Sequence, residues 1–255
     1  MSTTRRDTLK FGAAFGVAMV AAPTALWAAP ARHPDVYKTA HGEITIQPIQ
    51  HASFVMTIPG MVIYNDPIGE AALYAGEPAP DLILITHEHT DHYDPKTLAA
   101  LVRPGTKLVT SRVVYGLLPP DLKARAMALG NGGTTTVNGL KIEAVPAYNT
   151  TPARLKYHPK GRGNGYVLSV DRKRVYIAGD TEDIPSMRAM EDIFIAFVPM
   201  NLPYTMTVDQ AASAVAAFHP SYVYPYHYRG SDPKAFARTL AATGSKTKVV
   251  FGPWY

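Results

Sequence analysis

The sequence predicts a layered α/β domain, two mixed β-sheets with helices packed outside them. Three observations lead there. Short apolar runs of strand type recur in two blocks, one before residue 90 and one between residues 140 and 178. The last third of the chain alternates strand-like and helical patterns. Among 255 residues there are 22 Pro and 19 Gly, which demand many turns and exclude a bundle of long helices.

Taken in order, Ile44–Gln47, Ser53–Ile58 and Met61–Asn65 read as strands, with Pro59-Gly60 as the turn between the last two. Asp81–Thr86 is a continuous apolar run of buried-strand type. Helical patterns follow at Pro95–Val102, Ser111–Leu117 and Asp121–Leu129, and strands at Lys107–Thr110, Leu140–Pro146, Gly165–Val170 and Arg174–Ala178. Phe194–Pro199, Tyr222–Tyr226 and Lys248–Phe251 are further strands. A helix is expected over Val208–Phe218. Thr207 as N-cap with Gln210 three residues on makes a capping box, and Val208, Ala211, Ala212, Val215 and Ala216 form the apolar stripe. Another helix starts at Asp232, with Pro233 at its first position. No repeat and no linker interrupts residues 36–255, which read as one domain.

Residues 4–10 carry Arg5, Arg6 and Lys10, and an apolar run follows over Phe11–Ala22 before small residues and Pro lead to Ala31. These are the three parts of a secretory signal, and the paired arginines resemble a twin-arginine signal. Residues 1–31 are therefore expected to direct export to the periplasm or beyond, with cleavage after Ala28, Ala29 or Ala31. The run is shorter than the roughly 20 apolar residues a spanning helix needs, so no stable membrane association is expected after cleavage. Without residues 1–31, the formal charge of +5 falls to +3. That is too mild for a nucleic-acid binder.

The absence of Cys excludes disulfides, thiolate nucleophiles, iron–sulfur clusters and Cys-ligated zinc. Any metal must be held by His and carboxylates. Directly after the Asp81–Thr86 strand comes His87-Glu88-His89-Thr90-Asp91-His92. Three imidazoles crowded so closely at a strand end do not make a packing pattern, because each buried ring needs a partner. A metal satisfies them together. In extended backbone His87 and His89 project to one side and can share a cation, and Asp91 and His92, where the chain turns, can reach a second.

This stretch resembles the metallo-β-lactamase superfamily, whose signature is His-x-His-x-Asp-His after a strand. Gln50-His51-Ala52-Ser53-Phe54 followed by Tyr64-Asn65-Asp66-Pro67 is similar to the lactonase- and phosphodiesterase-like (L-ascorbate-6-phosphate lactonase-like) branch. Ala178-Gly179-Asp180-Thr181 matches the later Gly-Asp element, and Pro225-Tyr226-His227-Tyr228 the final His. The resemblance implies a four-layer αββα sandwich with one or two metal ions at one edge, zinc by default and manganese or iron as alternatives. It implies that His87 and His89 ligate the first ion and that Asp91, His92 and His227 ligate the second, with Asp180 bridging. It also places His51 near the metals. Asp66 either starts a turn before Pro67 or orients the His-rich loop. Where the family supplies a third His to the first site, this chain has Asn149, in Ala147-Tyr148-Asn149. Asn149 is a candidate ligand there, although an amide is a poorer zinc ligand than imidazole. His158 is the alternative, as a ligand or as a contact to substrate.

The function expected is hydrolysis of an ester-type bond, in a lactone or a phosphodiester. Metal-activated water attacks, Asp91 or Asp180 takes the proton, and Tyr148, His158 or Tyr204 donates to the oxyanion. Arg154, Lys156, Lys160 and Arg162, in one loop, suit an anionic small molecule or form a solvated basic face. The alternative is an exported metal- or partner-binding protein of the same fold without turnover. An iron oxidoreductase lacks support, because no flavin-binding domain is attached.

Overall fold

The strand-like runs pair into two seven-stranded sheets in the computed structural model, which describes residues 33–255; the expected export segment lies outside the described residues. The first sheet opens with four antiparallel strands, β1 (Asp35–Lys38), β2 (Glu43–Gln50), β3 (Ser53–Ile58) and β4 (Met61–Asn65). It continues in parallel through β5 (Leu82–Ile85), β6 (Lys107–Ser111) and β7 (Ala126–Leu129). The second repeats the plan: β8 (Thr134–Val137), β9 (Leu140–Ala147), β10 (Gly163–Val170) and β11 (Lys173–Ile177) are antiparallel, and β12 (Ile193–Pro199), β13 (Tyr222–Tyr226) and β14 (Lys248–Val249) follow in parallel.

Helices cover the outer faces because the parallel crossovers must run over them. Here α1 (Pro95–Leu101), α2 (Arg112–Leu117) and α3 (Pro120–Lys123) bury Leu98, Val114 and Leu122 on the first sheet, against Ile83, Ile85 and Leu108. Behind the second sheet, α4 (Pro185–Arg188), α5 (Val208–Phe218) and α6 (Pro233–Ala242) bury Met187, Val215 and Phe236 against Tyr176, Ala196 and Val198. The result is the αββα order of layers. The capping box at Thr207 and Gln210 is formed, and Pro233 follows its N-cap Asp232 as the pattern predicts.

The central core lies between the sheets. Phe54 stacks on Phe197 at 4.1 Å, Phe197 stacks on Tyr224 at 5.0 Å, and Trp254 packs edge-on against both phenylalanines. Three sequence expectations change. Asp121–Leu129 is not one helix: α3 stops at Lys123, and Ala126–Leu129 becomes β7 because pairing with β6 outweighs the helix preference of Ala, Met and Leu. Two short strands, β1 and β8, carry no strong apolar signal. The last strand ends at Val249 rather than at Phe251. No helix among the described residues is long and apolar enough to cross a membrane.

Phe197→Ala removes the ring sandwiched between the sheets, so it should cost about 3–5 kcal/mol in urea denaturation of the metal-free protein. Val36→Ala, at a half-exposed side chain, should stay within about 0.5 kcal/mol.

Candidate metal centre

The ends of β2, β4, β5, β9, β11 and β13 lie at one edge of the sandwich, and each hands over to a residue of the site. The chain turns sharply there. Asp66 follows β4 with φ 40°, His227 follows β13 with φ 46°, and His51 sits in the β2–β3 turn with φ 53°. These left-handed conformations are costly for side chains other than Gly, and they persist where surrounding contacts over-determine them. Gly179, before Asp180, has φ 66°, and a Cβ there would sit 2.6 Å from the Asn164 carbonyl oxygen, so this close approach requires Gly.

Asp66 is fully buried and organises the His-rich loop. Its carboxylate accepts from the Thr86 backbone N–H (2.8 Å), the Thr86 hydroxyl (2.7 Å) and His92 Nδ1 (2.8 Å). The last bond places the His92 proton on Nδ1 and leaves Nε2 free for the site. Having donated to Asp66, the Thr86 oxygen accepts from His87 Nδ1 at 3.0 Å, which frees His87 Nε2 in the same way. The second sheet joins here: Asn164 N–H donates to the Thr86 carbonyl (3.0 Å) and the Tyr166 hydroxyl to the Ile85 carbonyl (2.8 Å).

Three donor groups result. His87, His89 and His158 form one, with His89 Nδ1 lying 3.1 Å from His87 Nε2 and 3.2 Å from His158 Nε2. His51, Asp91, His92 and His227 form a second, and His87, His92 and Asp180 a third that overlaps both. Asp180 stands between them. Its Oδ2 is 3.2 Å from both His158 Nε2 and His227 Nε2, and its Oδ1 is 3.5 Å from His92 Nε2. Asp91 Oδ2 is 2.9 Å from His51 Nε2 and 3.5 Å from His227 Nε2.

Buried His92 Nε2, His227 Nε2 and Asp180 Oδ1 have no hydrogen-bond partner. Around them, imidazole nitrogens crowd to within 3.1 and 3.2 Å of one another. A divalent cation removes both defects at once, so the residues present fit a metal. The donors are imidazole and carboxylate, which zinc, manganese and iron all accept. Burial and the neighbouring imidazole of His92 push His87 well below the usual His range, so it is neutral and available to ligate. Burial opposes the charge of Asp180, but His227 and His92 overcome it and hold the carboxyl well below the usual range.

Of the two candidates for the third ligand of the first group, His158 occupies the place. Asn149 lies behind it, its amide Nδ2 donating to the carbonyls of Tyr204 (2.6 Å) and Arg154 (3.1 Å). Tyr148 packs on the apolar layer under α5, with Lys160 over its ring. His51, read as near the metals, is brought into direct contact with Asp91. A narrow cleft opens onto the first group, lined by His87, His89, Tyr157, His158, Arg162 and Asp180. Tyr204 packs edge-on against Tyr157 at 4.9 Å and is 45% exposed. The expected basic cluster is partly committed within the protein: Arg162 pairs with Glu88 and Arg154 with Glu182.

A model of the β-lactamase superfamily domain matches residues 45–227, and the chain belongs to that superfamily. A metal-dependent hydrolase from Pyrococcus abyssi is 32% identical over 179 residues, 67% of this chain and 77% of the relative. A crystal structure from Parabacteroides distasonis, assigned as a metal-dependent hydrolase, is 42% identical with a TM-score of 0.80, over 88% of this chain and 100% of that one. A metallo hydrolase from Ignicoccus hospitalis is 26% identical with a TM-score of 0.68, over 82% and 94%. The protein is a metal-dependent hydrolase of the metallo-β-lactamase fold.

Asp66→Asn leaves every donor atom of the three groups in place but weakens the acceptor that orients His92. It should lower divalent-cation affinity about 10–100-fold in a competition titration, with the metal-free fold retained.

Proposed function

We propose that the protein hydrolyses an ester-type bond, a lactone or a phosphodiester, in a small anionic molecule. His87, His89 and His158 would hold one cation, with His92, Asp91 and His227 holding a second and Asp180 between them. Zinc is the default occupant. The observation that carries this reading is the convergence of buried, unpartnered nitrogen and carboxylate atoms on one edge. When bound, such ions ionise water near neutral pH and polarise the substrate oxygen.

The chain's own residues supply the rest. Asp91 is the proton acceptor best placed for the incoming water, because its side chain is 47% exposed while that of Asp180 is buried. Burial opposes its charge, but the hydrogen bond from His51 and the nearby imidazole of His227 hold the carboxyl below the usual carboxylate range. His51 Nε2 donates to Asp91 Oδ2, while its Nδ1 faces the Tyr255 hydroxyl at 2.7 Å, so the ring is held at both ends. The protonated Asp91 can return the proton to the leaving oxygen. Tyr157, against which Tyr204 packs edge-on, lines the cleft together with Arg162, which is paired with Glu88. Lys156 and Lys160 stand over the rings of Tyr157 and Tyr148 and add positive charge on the same loop. Residues 1–31 support export by the twin-arginine route, which would place the reaction outside the cytoplasm.

Elemental analysis of the purified protein should find zinc, manganese or iron, and a panel of lactones and phosphodiesters assayed under that metal should give turnover. His87→Ala and Asp180→Asn should each lose metal and lower the melting temperature of the loaded protein. Full metal with no turnover on either substrate class would contradict the ester-type assignment, and full metal in both variants would contradict the ligand assignment. Replacing Arg5 and Arg6 together by Lys should keep the protein in the cytoplasmic fraction, and undiminished export would contradict the twin-arginine reading.

A further inference from the structure

We propose that Glu182 is a positioning residue that holds His158 in the metal centre, by stitching the segment after β9 to the turn that carries Asp180. This rests on the metal-centre reading above and extends it to a residue that touches neither a donor group nor the cleft.

The Glu182 side chain is fully buried and both oxygens are engaged. Oε2 accepts from the backbone N–H groups of Thr150 and Thr151, each at 2.6 Å, and from the Thr150 hydroxyl at 3.1 Å. Oε1 accepts from the Thr151 hydroxyl (2.7 Å) and from Arg154 Nη1 (2.5 Å). A buried carboxylate is costly unless fully partnered, and five donors are what this one receives. Burial opposes the charge, but these donors hold the carboxyl down at about 2. Its backbone joins the same two segments, since Glu182 N–H donates to the Tyr148 carbonyl at 3.0 Å.

A chain of hydrogen bonds leads from this carboxylate through Arg154 and Asn149 to His158. Arg154, fixed by Glu182 and by Gln210 Oε1 (3.0 Å), offers its carbonyl to Asn149 Nδ2. Asn149 N–H in turn donates to the His158 carbonyl at 2.8 Å. Gln210 belongs to the capping box that starts α5, so the loop is referenced to a rigid helix. Asn149 Nδ2 and His158 Nδ1 both donate to the Tyr204 carbonyl, at 2.6 and 3.0 Å, which turns His158 Nε2 toward His89 and Asp180. Glu182 is two residues beyond Asp180, so one short stretch contributes a donor to the centre and the anchor for another donor 22 residues earlier. A carboxylate serving stability alone has no reason to act on one donor group more than on the others. A positioning residue weakens the His87–His89–His158 group selectively.

The test uses cobalt(II) added to the metal-free full-length protein, read as equivalents bound, affinity and visible absorption spectrum, for wild type, Glu182→Gln, His158→Ala and the double variant. Glu182→Gln should weaken one class of cobalt sites about 10–100-fold and change the spectrum in the same direction as His158→Ala. The double variant should be no weaker than His158→Ala alone, because both changes act on one donor. Thr151→Val, which removes one donor to the carboxylate, should give a smaller shift of the same kind and carries the test if Glu182→Gln does not fold. Wild-type affinity and spectrum in the Glu182 or Thr151 variant would overturn the proposal. So would full additivity with His158→Ala, or equal weakening of all sites. If wild type itself bound no cobalt, the metal-centre reading would fall, and this proposal with it.

Discussion

The crowding of imidazole and carboxylate donor atoms at one edge of the sandwich is the constraint on which this structure turns. Six imidazoles and two carboxylates crowd one end of the sandwich, and several of their atoms are buried without a partner. In a protein core such an arrangement is penalised on two counts, desolvation and repulsion. A divalent charge at the centre converts both penalties into coordination. The costly conformations at His51, Asp66 and His227 follow from the same demand, because a chain that left its strands gradually would carry these side chains past the edge.

The two sheets share one plan, four antiparallel strands followed by three parallel ones, and the centre forms where strand ends of the two halves meet. The first half contributes His51, Asp66 and the loop from His87 to His92. The second contributes His158, Asp180 and His227. Neither half has a complete donor set. The bonds from Asn164 and Tyr166 to the end of β5 bring the halves into register at the site, where an error of an ångström would matter most.

What was legible in the sequence was local chemistry and strand periodicity. The cluster from His87 to His92 announces itself because its residues are neighbours in the chain, and Asp180 and His227 follow runs that read as strands. His158 is not legible in the sequence because its partner His89 is 69 residues away, and only a folded loop shows whether Asn149 or His158 comes forward. Glu182 carries no signal in the sequence, because its donors are backbone N–H groups, hydroxyls and one Arg that the sequence offers equally to substrate. The helix expected through Leu129 failed where a neighbouring strand edge decided the conformation, and the duplicated sheet plan is invisible because the halves share topology and not residues.

The most direct measurement is anomalous scattering from a crystal of the full-length protein grown with zinc, with data taken on both sides of the zinc absorption edge. The account predicts density between His87, His89 and His158, and between Asp91, His92 and His227, with Asp180 next to both. Zinc found only at other surface positions, with these side chains arranged around no shared peak, would contradict it.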